Sequence, residues 1–396
     1  MRLLALTSAA LLALAPATLG AVSASAAAPE PTPAPLTGSK NAVPGQYIVT
    51  LDKEVGAAGF TDRLRLTPKH LYSSALNGFA AQLTPLQLDT VRKSPGVTSV
   101  EEDTQITADP NPAAKPGLRG PAASWGLDRI DQEDLPLDND FTVGGNGAGV
   151  TAYILDTGID YAHDEFGGRA TFGFDAMPDA ATQRGQDCHG HGTHVAGTVG
   201  GRTYGVATNV NLVSVRVLGC DGSGSYSGII AGLDWVSRNA KQPAVLNGSL
   251  GGPRSTAVNN AADALAAAGV LPVIAAGNSA ADACNVSPAS ANRVLTVAAS
   301  TRNDEQASFS NWGRCVELFA PGTEILSARL GGGSVALQGT SMAAPHVAGV
   351  AALYKQAHPA EVPERIVDFL RTQSSKDKLT RLSTGTPNQL LNTGGL

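Results

Sequence analysis

From residue 150 onward the chain repeats one device, a short run that is apolar at nearly every position followed by a stretch with helical spacing. The runs are residues 150–155, 211–217, 245–250, 271–275 and 294–298, and residues 191–200, 227–239 and 256–268 read as helices between them. A strand that is apolar on both sides cannot leave one face in water. The pattern therefore predicts a mostly parallel sheet with helices over both faces, the α/β class. A sheet of that kind needs a large core, and 396 residues at 42% hydrophobic supply one and exclude disorder. Open parallel sheets carry their chemistry at the carboxyl ends of the strands, so polar residues there are the ones to examine.

Charge narrows the choice of partner. Lys and Arg number 28 against 34 Asp and Glu, a net charge of −6, and no basic block interrupts the sequence. Phosphate binding needs clustered Lys and Arg, so nucleic acid is excluded as the main partner. Charged residues are only 16% of the chain and glycines number 45, so Ser, Thr, Asn, Gly and Ala must build much of the surface.

The first 26 residues read as a signal peptide. Arg2 gives the positive start, residues 3–14 are mostly Leu and Ala, and Ala24-Ser25-Ala26 offers the small residues that cleavage requires. The apolar part is shorter than the ~20 residues that span a bilayer, so no membrane anchor is expected after its removal and the product is secreted and extracellular. Residues 27–44 and 108–123 are rich in Pro and Ala and read as linkers. Between them, residues 45–107 hold strand-like runs at 46–51, 77–83 and 96–101. Helices are expected at 59–66 and after Thr84-Pro85, which supply an N-cap and a first-turn proline. A β-α-β-β-α-β order, a small split sheet, follows. Residues 124–396 form the large domain.

Export places four cysteines, Cys188, Cys220, Cys284 and Cys315, in an oxidising compartment. Two bridges in three possible pairings, or buried free thiols, are open. Pairing sequence neighbours closes two loops of nearly equal length, each contributing roughly 3–4 kcal/mol on loop-entropy grounds.

Three polar residues carry the chemistry. Asp156 closes the apolar run 150–155; His191 lies in Gly190-His191-Gly192-Thr193-His194; Ser341 lies in Gly339-Thr340-Ser341-Met342-Ala343-Ala344-Pro345 and opens a helix of small residues. A serine at a helix N-terminus has free backbone donors beside its hydroxyl, and an imidazole oriented by a carboxylate is the base that hydroxyl attack needs. These three motifs in the order Asp, His, Ser, with Ala275-Ala276-Gly277-Asn278 as a fourth, resemble the signatures of the subtilisin family of serine proteases. The likeness to its proteinase K branch, and to the secreted aqualysin-like enzymes, runs from Trp125 to the C-terminus.

The resemblance implies a three-layer subtilisin-like fold preceded by a small α+β, ferredoxin-like propeptide at residues 45–107. It implies a secreted, self-processing serine endopeptidase that acts as a monomer on polypeptides and has its own propeptide as inhibitor. Ser341 would attack, His191 would move the proton, Asp156 would hold the imidazolium and Asn278 would donate to the oxyanion. Gly222 to Tyr226 would pair with an extended substrate as an extra strand, opposite Ser249, Leu250 and Gly251. Leu250-Gly251 and Ala275 to Gly277 would wall a small uncharged pocket for apolar or aromatic side chains. The family's bridges correspond to Cys188–Cys220 and Cys284–Cys315. Structural calcium is implied at Asp128, Asp131, Gln132, Asp138 and Asp140, whose hard oxygens suit that ion. A second family site uses carbonyls near Asn292 and Val294 with an aspartate, where this chain has Glu317. The reaction itself needs no cofactor.

Three rival readings are separable. His189-x-His191-x-x-His194 has the spacing of metal ligands, but a metalloprotein leaves the Ser and Asn motifs unexplained. A non-catalytic binding domain would lack a motif residue, and none is missing. An α/β-hydrolase would show Gly-x-Ser-x-Gly and the order Ser, Asp, His, which this chain does not.

Overall fold

The computed structural model describes residues 32–108, 123–177 and 184–396. The expected signal peptide and most of the second linker lie outside the described residues.

The N-terminal sheet unit runs β1 (Leu36–Thr37), β2 (Ala42–Leu51), α1 (Ala57–Arg63), β3 (Pro68–Tyr72), β4 (Gly78–Gln82), α2 (Pro85–Lys93) and β5 (Val97–Thr107). Its strand order is β1-β5-β2-β4-β3, with β1 parallel to β5 and the remaining pairs antiparallel. The Thr84-Pro85 signal is realised as a capping box. The Thr84 hydroxyl accepts from the Gln87 amide, and the Gln87 side chain accepts from the Thr84 amide at 2.9 Å. Val49, Phe60, Phe79, Val91 and Val100 fill its core. Two expectations need correction. Residues up to 44 were expected to be linker, yet β1 and the start of β2 lie there, because main-chain pairing with β5 is indifferent to their Pro- and Ala-rich composition. The strand Pro68–Tyr72, absent from the runs read in the sequence, alternates exposed and half-buried residues and carries a short apolar signal.

The large domain continues with α3 (Trp125–Ile130), β6 (Thr151–Asp156), β7 (Ala170–Asp175), α4 (His191–Gly200), β8 (Asn211–Arg216), β9 (Ser223–Ser225) and α5 (Tyr226–Asn239). Next come β10 (Ala244–Gly248), β11 (Gly252–Pro253), α6 (Thr256–Ala267), β12 (Leu271–Ala275), β13 (Val286–Ser287), β14 (Leu295–Ser300) and β15 (Leu318–Pro321). The chain closes with β16 (Ile325–Ala328), β17 (Ser334–Leu337), α7 (Thr340–Ala357), α8 (Pro363–Gln373), β18 (Ser375–Lys376) and β19 (Gln389–Leu390). The main sheet has the order β18-β19-β15-β14-β12-β10-β6-β8-β7, and every pair in it is parallel except β18 with β19. All residues of β6, β10, β12 and β14 are buried, as the continuous apolar runs require. Two apolar clusters cover the two faces. One contains α4 and α7, with Val195, Val347 and Val350; the other contains α5 and α6, with Ile229, Leu233 and Leu265. This sandwich is the predicted α/β architecture. Both expected bridges are present, Cys188–Cys220 and Cys284–Cys315, which removes the free-thiol reading.

The sheet order is what matters for chemistry. With β6, β10 and β12 adjacent, the residues at their carboxyl ends, Asp156, Ser249 and Asn278, emerge along one edge.

Candidate active site

Asp156 and His191 meet at that edge. The Nδ1–H of His191 donates to Oδ1 of Asp156 at 2.7 Å, with the two residues 4% and 0% exposed. Asp156 ends β6, and His191 is the first residue of α4. The loop before α4 is ordered by Asp187, which the sequence reading passed over. Its carboxylate accepts from the Thr157 hydroxyl at 2.9 Å, the His189 and Gly190 amides at 2.9 Å, and the Thr193 amide and hydroxyl at 2.9 and 2.6 Å. Five donors on one buried carboxylate fix the approach of His191 to Asp156.

Ser341 is the second residue of α7, which packs against α4. It is 3% exposed, and its hydroxyl donates to the Ser249 carbonyl at 3.3 Å. Asn278 stands beside the start of the same helix. Its Oδ1 accepts from the Thr340 amide at 2.8 Å and the Thr340 hydroxyl at 2.9 Å. These two bonds set the orientation of the Asn278 side-chain amide. The preceding turn is built for this. Gly277 has φ +100°, and a Cβ there would run into the Asn311 side-chain amide. Asn311 ties the turn together, donating to Ala276 O at 2.8 Å and accepting from the Ser279 and Ala281 amides.

The segment expected to pair with substrate is paired with the chain itself. β5 pairs antiparallel with β9, with Gln105 opposite Ser225, Ile106 opposite Gly224 and Thr107 opposite Ser223; the Ala108 amide then donates to Gly222 O at 2.7 Å. Ile106 lies against Gly252 beside the buried Tyr226, whose hydroxyl donates to the Pro253 carbonyl. Tyr226 therefore stands behind the wall and does not pair with the incoming strand. Ser249 is fully buried and bonded to Ser341, and Leu250 is buried. Gly251 and Gly277 line a cavity of about 680 Å³, with Asn278, Val286 and Asp282. Leu250, Ala275 and Ala276, expected as walls, do not line it, and Asp282 adds an acid whose carboxylate accepts from the Cys284 amide at 2.9 Å.

Carboxylates of the N-terminal unit bind the large domain. Glu101 accepts from the Ser255 hydroxyl at 2.6 Å and the Ala257 amide at 2.9 Å, at the start of α6. Asp103 accepts from the Ser227 hydroxyl at 2.6 Å and the Ser227 amide at 2.9 Å, at the start of α5. Both sit where a helix N-terminus has spare donors. Burial raises the Asp103 carboxyl above its ordinary range against the pull of Ser227. In return, Asp234 of α5 accepts from the Ser73, Ser74 and Ala75 amides at 3.0, 2.7 and 2.9 Å.

The three-histidine alternative does not assemble. His194 directs Nε2 to the Ile325 and Val335 carbonyls at 3.0 and 3.1 Å, and burial pulls it down to about 3. His189 and His191 have ring centres 6.4 Å apart. Among the described residues, no group of three or more His, Cys, Asp or Glu side chains converges as a metal site. The acidic loop nonetheless has spare buried oxygens. Asp128 Oδ1 and Asp131 Oδ1 lack partners, and burial raises both carboxyls, with Asp138 charge adding to each. Gln132 Oε1 accepts from the Asp138 amide at 3.2 Å, and Asp138 accepts from the Asp140 amide at 2.9 Å.

A family model described as the subtilase family matches residues 147–393, and one described as peptidase inhibitor I9 matches residues 62–109. Alkaline serine exoprotease A of Vibrio alginolyticus is 50% identical over 321 residues, 81% of this chain; the chain spans 59% of that relative's length. An extracellular serine proteinase of Thermus sp. is 42% identical over 404 residues, covering 95% of this chain and 96% of its own. The crystal structure of a cold adapted subtilisin-like serine proteinase matches with a TM-score of 0.66 at 52% identity, over 68% of this chain and 97% of that one.

Proposed function

The chain belongs to the subtilase family of serine proteases, and on that footing we propose that it is a secreted endopeptidase in which Ser341, His191, Asp156 and Asn278 carry the reaction. The observation that bears most weight is the buried His191–Asp156 pair at 2.7 Å. It fixes Nδ1 as donor, which leaves Nε2 of His191 as the base that takes the Ser341 proton and returns it to the leaving amine. Ser341 Oγ attacks the carbonyl carbon. The oxygen that becomes negative is met by Asn278 Nδ2 and the Ser341 amide at the N-terminus of α7. Asp156 holds the imidazole in place and steadies the imidazolium.

An extended substrate takes the place of β5 on β9, bound through main chain and so with little regard to sequence. The cavity edged by Gly251, Gly277 and Val286 takes apolar or aromatic side chains before the scissile bond, giving broad specificity. Residues 1–26 direct export, the unit ending in β5 is inhibitor and folding aid, and self-cleavage falls between Ala108 and Ser124. The mature enzyme is a monomer. A calcium ion suits the loop of Asp128, Asp131, Gln132, Asp138 and Asp140, where the two buried unpartnered oxygens call for a cation; it would stiffen the loop and take no part in the chemistry.

The deciding experiment treats the purified protein with a fluorophosphonate probe and incubates Ser341→Ala zymogen alone. Labelling confined to Ser341, and a variant that stays full length, are expected. A variant that matures in isolation would remove Ser341 from the mechanism, and a peptide-library profile dominated by Lys or Arg would remove the apolar pocket.

A further inference from the structure

The second calcium position that the family resemblance implies falls where Glu317 approaches Asn292 and Val294, and the residues present do not fit a cation there. Glu317 is 18% exposed on its side chain, with Oε2 accepting from the Thr296 amide at 2.7 Å. Its other oxygen lies 3.6 Å from Nη2 of Arg371 on α8. Both oxygens are committed, one to the backbone and one to a positive charge that is already present.

The surroundings repeat this. A cavity of about 200 Å³ beside Glu317 is lined by Asn292, Val294, Arg293 and Arg371 together with Glu364 and Asp368. Arg293 is paired with Glu364, and its amide donates to Asp263 at 2.7 Å. Two of the lining carboxylates, Glu364 and Glu317, thus each face an arginine, leaving Asp368 and Asp263 as the acids in excess. Calcium needs six to eight oxygens at close range, and a guanidinium facing the least exposed carboxylate of the cavity lining raises the cost of bringing a second cation in. A carboxylate at this depth still needs a counter-charge.

We propose that the Arg371 guanidinium takes the place of a calcium ion at this corner, joining α8 to the strand ends at Thr296 and Glu317 by a charge that cannot be chelated away. The glutamate is part of the substitution, since one more methylene than aspartate lets the carboxylate reach toward α8. The inference is independent of the catalytic assignment.

The test counts calcium bound to Ser341→Ala zymogen, which cannot digest itself, and follows its melting with and without added calcium. Glu317→Gln should leave the number of bound ions unchanged. Arg371→Ser, at a half-exposed position, should bind one more calcium ion than the parent and melt higher when calcium is supplied. Arg371→Lys, which keeps the charge, should match the parent. Loss of one bound ion in Glu317→Gln would overturn the proposal, as would an Arg371→Ser protein whose calcium count equals the parent's.

Discussion

Ser249 and Ser341 are bonded to each other twice: the Ser249 hydroxyl donates to the Ser341 carbonyl at 2.9 Å, and the Ser341 hydroxyl donates to the Ser249 carbonyl at 3.3 Å. The first bond exists because of Pro345. Within α7 the Ser341 carbonyl would ordinarily accept from the amide four residues on, and a proline has none. A proline that reads as a helix breaker instead frees an acceptor that pins the first turn of α7 to the end of β10.

Ser249→Ala removes that bridge and strands both Ser341 O and Asn247 Nδ2, which donates to the Ser249 hydroxyl at 2.8 Å. Leaving buried groups unpaired costs about 1–3 kcal/mol each. Lower melting of the Ser341→Ala background, and reduced turnover in the active background, are expected by calorimetry and peptide assay. Unchanged melting would show that the bridge carries no stability.

Asn278→Ala should reduce turnover by about 10²–10³ with KM little altered, the known worth of this donor in a subtilisin. Thr340→Val, which removes the hydroxyl and keeps the amide of the two donors on Asn278 Oδ1, should give an intermediate loss. Should Thr340→Val match wild type, the pinning of Asn278 is unnecessary.

How much of this was legible in the sequence follows from chemistry type. The strands β6, β12 and β14 and the helix α4 announce themselves because burial on all sides demands unbroken apolar runs. The motif residues Asp156, His191, Asn278 and Ser341 sit beside glycines whose conformations few other residues adopt. What stayed hidden depends on contacts across the chain. Asp187 is one acid among many until the loop wraps its five donors around it, and Glu101 and Asp103 gain meaning only once α5 and α6 lie beneath them. β1 was invisible because its pairing with β5 is purely main-chain.

Glu101→Gln and Asp103→Asn should loosen the N-terminal unit from the large domain. A hydrogen bond to a charged group contributes about 1.5–3 kcal/mol, and the two sit on different helices, so their effects should nearly add. The measurement is the time to full activity after self-cleavage. Faster onset in each variant, and faster still in the double variant, is expected; equal times would mean that neither carboxylate limits release.

Acid should destabilise the large domain through two buried imidazoles. Burial holds His346 down to about 4 and His194 to about 3, whereas the unfolded chain protonates near 6.5. Between those values the unfolded state binds protons that the folded state refuses, so stability falls as pH drops below about 6.5, by roughly 3 kcal/mol for His346 alone. Melting of the Ser341→Ala zymogen from pH 7 to pH 4.5 should decline, and His346→Gln should flatten the decline. A parallel slope in the variant would assign the effect elsewhere.

Asp128→Asn should weaken the calcium response of melting, and a chelator should lower the parent's melting temperature more than the variant's. Equal responses would take calcium away from this loop.

One edge of β9 is tied back to Leu218 and Gly219, and β5 occupies the other. If substrate takes that edge, as proposed above, a molecule holds either its own N-terminal unit or a substrate there, never both, and the first molecules freed would meet their neighbours' N-terminal units as substrates. On that reading onset would depend on concentration, a crowded population becoming active together while isolated molecules wait.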